Sequence, residues 1–436
     1  MTTIRAQVPE PVESFRARAR AWLADDMPKL GNVSHLARHQ DEDRSWIRAR
    51  ELQQKLYAGG FAGICFPKEY GGLGLSQDHQ RAFNEESTGY ELPILLNIPT
   101  FSVCCATLLE WGTEEQKRTH IGAAIRGEEV LAQFLSEPSG GSDLAGLTTR
   151  AELQGDEWVV NGAKTWSTSA YGADYALCLA RTDPNRPKHD GLTMFLMPTK
   201  APGLTMNRIR MVDGSTEFCE EFFDDVRLPA DAVVGEVNGG WKVATRQLHH
   251  ERTAMGGGSP YTSGEGMPRS KSAMQPIEVA RASGRTADPE VRTMIGEALA
   301  LATVHEQLVE RISHGLASGH LQGPAITMLR LFHAETSQAE NDLGLRIAGS
   351  MAAVGSDPAP DFARQVGTSF LNRQVISLGG GSTEMARNVI SERLLGMPRE
   401  YAPDRGVPFN RIARGRPSPG PAPARAPHAS RPQADR

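Results

Sequence analysis

A chain of 436 residues with 39% hydrophobic and 23% charged residues has the composition of a soluble globular protein and is long enough for two or three domains with sizeable cores. A net charge of −5 and a sequence pI near 6.2 give no reason to expect nucleic acid as a partner. No apolar run approaches the roughly 20 residues of a membrane span, and the opening MTTIRAQVPEPVESFRARAR lacks an apolar signal core, which points to a cytoplasmic protein.

Residues 11–130 read mainly as helices. Val12, Phe15, Ala19 and Trp22-Leu23 fall on one face, and Trp46, Leu52 and Leu56 begin a second set. Cys65 to Gly74 is a breaker-rich turn, and Thr113 before Glu114-Glu115 reads as a helix cap. From Leu131 the pattern becomes strand, glycine loop and strand, with Asn161-Gly162 read as a hairpin turn. Tyr175, Leu177 and Leu179 alternate with small residues, and Leu192 to Pro198 gives another strand. A helix is expected from near Trp241 to about Met255, then a Gly-, Ser- and Pro-rich connection over 256–287 with at most one short helix. Periodicity returns from Met294 to Ile312, with further helices over 324–351 and 360–378 and a last one over Ser382–Leu395. The proline-rich stretch from Arg414 reads as a solvated, disordered tail. Five cysteines (Cys65, Cys104, Cys105, Cys178 and Cys219) lack a C-x-x-C spacing and read as reduced thiols, with no metal site.

Two runs carry most of the information. Ser136-Glu137-Pro138-Ser139-Gly140-Gly141-Ser142-Asp143 is followed by Asn161-Gly162-Ala163-Lys164-Thr165-Trp166-Ser167-Thr168-Ser169. Together they resemble the acyl-CoA dehydrogenase family, in which TEP-x-AGSD precedes NG-x-K-x-WI-(T/S)-N in the middle domain. Here serine replaces threonine at 136, glycine replaces alanine at 140, and serine replaces isoleucine at 167 and asparagine at 169. Phe222-Phe223-Asp224-Asp225-Val226-Arg227-Leu228-Pro229 and Gly235-Glu236 to Trp241 are similar to the family's FFDDVRVP and GE-x-x-x-GW. The resemblance implies an α+β, mainly α fold: a helical N-domain (1–130), a β-barrel-like middle domain (131–235) and a C-terminal four-helix bundle (236–405), then a tail (406–436).

The family reaction removes an α-proton and a β-hydride from an acyl-CoA thioester, giving the trans-2-enoyl product. Such an α-proton is weakly acidic, so the site must stabilise enolate charge and supply a desolvated base, and burial suits a glutamate to that task. Most members carry this glutamate just before the last helix. Aligned on Glu384, Arg387 and Asn388, that position is Gly380. Other members carry it before an arginine on the first helix after the β-domain, which here is Glu251-Arg252. The resemblance therefore implies Glu251 as base, with Arg252 positioning the base or the thioester. It further implies FAD, held by Phe134, Leu135, Ser136, Gly141, Ser142, Trp166 and Thr168, with Ser382 and Glu384 as further candidates and Ser142 reaching the substrate as well. An electron-transfer flavoprotein or similar acceptor and a homodimer or tetramer are implied too. The family's R-x-x-FGK-like segment is not found between Met255 and Arg292. That departure, with Gly380, leaves two alternatives open: a non-catalytic partner subunit of a hetero-oligomer, and a flavin oxidase or monooxygenase on the same fold.

Overall fold

The computed structural model describes residues 10–30, 42–255, 259–264, 275–353 and 360–412. The proline-rich stretch from Arg414, and parts of the 256–287 connection, lie outside the described residues.

Helices α1 (Val12–Asp26), α2 (Glu42–Ala58), α3 (Gln77–Glu86) and α4 (Ala106–Trp111) form the N-terminal part. The stripe expected on α1 is its buried face: Phe15, Ala19 and Leu23 have no exposed surface. Thr113 closes a capping box with Gln116, whose amide reaches the carbonyls of Asp231 and Val233 and ties the helices to the sheet. The stretch Ile94–Trp111 comes nearer to a membrane span than the sequence suggested, since it is long and apolar enough to cross one. It is built of several helical pieces, with a non-helical Ile98, and is mostly buried in the core.

The sheet contains β1 (Leu131–Phe134), β2 (Arg150–Gln154), β3 (Glu157–Thr168), β4 (Tyr175–Arg181), β5 (Leu192–Pro198), β6 (Leu204–Ile209), β7 (Phe218–Pro229) and β8 (Val233–Val234). Its order is β6-β7-β3-β2-β4-β5-β8, with β1 parallel to β4. Asn161-Gly162 is not a hairpin turn. It lies inside β3, where the register against β7 slips by one residue. Asn161 exchanges two hydrogen bonds with Asp225 across that bulge. A Cβ on Gly162 would stand 2.6 Å from the Thr149 Cα, so the glycine serves a close approach of strands. The turn between β2 and β3 is Gly155-Asp156, with Gly155 at φ 68°. Asn-Gly tolerates the left-handed region that both turns and bulges use, and short-range sequence does not separate them.

The C-terminal part holds α5 (Gly240–Met255), a short helix Pro276–Ala282, α6 (Pro289–Ala317), α7 (Ile326–Ala348), α8 (Asp361–Asn372) and α9 (Thr383–Val389). Two cores result. One runs from α1 through the sheet to Val243 and Ala244 of α5, and the other joins the short helix, α6, α7 and α8 around Val279, Val291, Met294, Ile347 and Val366. Beyond α9 the chain returns to the sheet side. Phe409, inside the stretch expected as tail, is buried with the Arg181 guanidinium 3.4 Å from its ring centre, and its N–H donates to Arg186 O. Lys188 joins this strap to the glycine loop, since its Nζ reaches both Asp404 and Asp143.

Candidate active site

On α5 the buried positions Val243, Ala244, Gln247 and Ala254 recur at three- and four-residue spacing, and Glu251 falls on the same stripe. Its carboxylate is therefore carried inward, while part of its surface stays accessible. Gln133 Nε2 on β1 donates to Glu251 Oε2 at 3.1 Å, and Gln247 Nε2 donates to Gln133 Oε1 at 3.1 Å. Glu251 Oε1 takes no hydrogen bond among the described residues. Burial pushes the Glu251 carboxyl above the usual range, opposed by the Gln133 hydrogen bond and the charges of Arg252 and Arg330. The group is thus a deep carboxylate with one oxygen held and one free.

Arg252 is half-buried, and desolvation lowers its pKa. His249 is exposed, and His250 lies 3.1 Å from a carboxylate oxygen of Glu110. Gly380 has φ 68°, a conformation that disfavours any side chain there, and the loop around it is held by Arg330 Nη2, which donates to Ile376 O, Gly379 O and Gly381 O.

The two motif runs meet through a buried ion pair. Lys164 Nζ donates to Glu137 Oε1 at 3.1 Å and to Leu135 O at 2.9 Å. Glu137 also accepts from the Thr148 and Thr149 N–H groups and the Thr148 hydroxyl. Burial alone would raise its pKa, but Lys164 and these hydrogen bonds bring it down to about 2. Thr165 N–H donates to Ser136 O, so Phe134, Leu135 and Ser136 lie beside the end of β3. Phe134 and Leu135 are buried, while Gly141 and Ser142 are exposed on the loop.

Trp166 stands at a second bulge of β3, between Thr165 and Ser167, with φ 63° and 54% of its surface exposed. A bulky residue in the left-handed region costs on the order of 1–3 kcal/mol, and such strain collects at functional sites. Its ring has an edge contact with Phe218. Thr168 follows on the same strand and is half-buried. The open indole face and the exposed glycine loop are the kinds of surface that suit a flat aromatic cofactor such as an isoalloxazine. Ser382 and Glu384 have a nearer task. The Ser382 hydroxyl caps α9 by accepting from Met385 N–H, and exposed Glu384 sits in its first turn, with its carboxyl held below the usual range by its own backbone N–H and by Ser382.

Sequence reasoning missed Gln133, Gln247 and Arg330. A signal existed for two of them: Gln133 interrupts Leu131-Ala132 and Phe134-Leu135, and Arg330 interrupts Met328-Leu329 and Leu331-Phe332. The carboxylate the two glutamines serve arrives from another helix, which neither run shows.

Comparison with known proteins agrees with this architecture. Residues 9–128, 132–226 and 238–395 match the N-terminal, middle and C-terminal domains of acyl-CoA dehydrogenase. The chain belongs to the acyl-CoA dehydrogenase family. It is similar to acyl-CoA dehydrogenase IpdE1 of Mycobacterium tuberculosis, at 33% identity over 90% of this chain and 99% of that one. A (2S)-methylsuccinyl-CoA dehydrogenase of Cereibacter sphaeroides is 30% identical over 88% of this chain and 70% of its own length. Among solved structures, the Tcur3481-Tcur3483 steroid ACAD matches with a TM-score of 0.70 and 30% identity, over 90% of this chain and 99% of that one. The ChsE4-ChsE5 complex from Mycobacterium tuberculosis matches with a TM-score of 0.69 and 27% identity, over 91% and 100%.

Proposed function

We propose that the protein catalyses FAD-dependent α,β-dehydrogenation of an acyl-CoA thioester to the trans-2-enoyl-CoA, with Glu251 as the base. The observation that carries this reading is the Glu251 carboxylate, deep in the protein, tethered through Oε2 by Gln133 and free at Oε1. Facing chemistry of this kind, the usual position at Gly380 offers no side chain.

Glu251 Oε1 takes the α-proton, the α-C–H electron pair forms the new double bond, and the β-hydrogen leaves with its pair. FAD, when bound, supplies the acceptor for that hydride. Phe134, Leu135 and Ser136, with Gly141, Ser142, Trp166 and Thr168, are the residues that would hold it, and Ser142 would also touch the substrate. Gln133 fixes the rotamer of the base, and the half-buried Arg252 follows Glu251 on the helix to position the thioester. Burial raises the proton affinity of Glu251 toward that of the acidified α-carbon. An electron-transfer flavoprotein or similar protein would reoxidise the enzyme.

Exposed Leu299 and Val304 on α6 and Leu371 on α8 support assembly through the C-terminal helices. The paired names of the two solved neighbours extend the choice of partner from a second copy to a related chain. Sedimentation is expected to show a dimer or larger, and a stable flavin-loaded monomer would contradict it.

Glu251→Gln tests the base. The variant is expected to keep fold, flavin and acyl-CoA binding while slowing flavin reduction by substrate about 10²–10⁴-fold. Bleaching at the wild-type rate would remove Glu251 from the chemistry. A purified wild-type chain that carries no flavin, alone or with a partner, would remove the dehydrogenase reading.

A further inference from the structure

Arg330 projects from α7 between apolar neighbours, and only one of its three nitrogens is accounted for. Nη2 donates to Ile376 O at 2.5 Å, Gly379 O at 2.6 Å and Gly381 O at 3.2 Å, which fixes the guanidinium against the loop before α9. Nε and Nη1 are shielded from water and meet no acceptor. No carboxylate forms an ion pair with Arg330 among the described residues, although its charge and that of Glu251 act on each other. The arginine therefore lies against the loop that carries Gly380, within range of the charge of the base. Its free donors are already desolvated and already oriented.

A loop staple needs no more than Nη2. Buried donors left unmade cost about 1–3 kcal/mol, so an alkyl chain laid against Nε and Nη1 would keep that penalty, whereas an oxygen would relieve it. A site built this way discriminates against the analogue that lacks the oxygen. We propose that Nε and Nη1 of Arg330 receive a carbonyl oxygen of the acyl group beyond its β-carbon, so that the substrates are CoA thioesters of keto or dicarboxylic acids. This rests on the dehydrogenase reading and narrows its substrate class.

The test uses the flavin-loaded protein, with its partner if one copurifies, and three thioesters of equal chain length: hexanoyl-CoA, its δ-keto analogue and adipoyl-CoA. Affinity is read by titration, and kcat and KM by flavin bleaching. Wild type is expected to favour an oxygenated thioester at least about ten-fold over hexanoyl-CoA. Arg330→Leu should raise KM for the favoured thioester about 10–100-fold, with a loss on hexanoyl-CoA at least ten-fold smaller. Arg330→Gln keeps a neutral donor and should retain part of the affinity for the keto compound but little for adipoyl-CoA, which tells ketone from carboxylate. Equal losses on all three thioesters would overturn the proposal, because the arginine would then serve the thioester or the loop. Loss of flavin from both variants would overturn it too, by assigning the donors to the cofactor. If no thioester bleaches wild type, the dehydrogenase reading fails instead, and the titrations still decide whether Arg330 selects the oxygenated acyl group.

Discussion

At the scale of single residues, three buried carboxylates show how neighbours decide sign. Glu137 has Lys164 and two backbone N–H groups and is driven down to about 2, while Glu221 is raised to about 7 because burial outweighs the Ser167 hydrogen bond and the Lys164 charge. Glu221 is held more weakly in its ionised form than in the unfolded chain. Its stabilising share is thus complete below the unfolded carboxylate pKa of about 4.3 and is lost as pH rises through about 7. Denaturant melts should show wild type losing up to about 3 kcal/mol at this position between about pH 4 and 8, a loss that Glu221→Gln removes. Glu251 has the same sign, raised by burial, so Glu251→Gln is expected to be no less stable than wild type in alkaline buffer. Gln133→Leu acts in the opposite sense on catalysis. It deletes a hydrogen bond that favours the carboxylate, so the pH at which flavin reduction switches on should move up. A change in rate without a shift of the profile would make Gln133 a packing residue.

At the scale of elements, β3 does most of the positioning. One bulge lets it pass Thr149, the next turns Trp166 outward, and Lys164 between them anchors the loop that opens at Leu135. Gly162→Val should destabilise by at least about 2 kcal/mol through overpacking and φ strain and weaken flavin retention, as measured by urea melts and the flavin-to-protein ratio. Thr113→Ala, at a cap far from these bulges, should cost about 1 kcal/mol and leave the flavin content unchanged. These two positions also show what was legible from sequence. Thr113 was read correctly because a capping box is local. Asn161-Gly162 was misread because the contact that requires glycine comes from Thr149, just before β2. Trp166 was singled out by its motif, whereas its left-handed backbone conformation appears only in the structure. Gln133 and Arg330 stayed hidden because each answers to a group on a distant element.

At the scale of the whole molecule, the sheet is fastened from both ends of the chain. Gln116 tethers it from the helical side, and the strap around Phe409 closes it from the other. Phe409→Ala should cost about 3–5 kcal/mol and expose the Arg181 contacts to Ala145 O and Leu147 O to water. The flavin-to-protein ratio should fall with it, and an unchanged ratio would confine the strap to stability. The strap also has a place in time. Asp404 and Phe409 are made about 220 residues after Arg181 and Lys188, roughly 10–45 s later at ribosomal rates of 5–20 residues per second. A nascent middle domain must wait that long for its final fastening, so the loop at Asp143 gains its tie through Lys188 to Asp404 only after the C-terminal helices have been made.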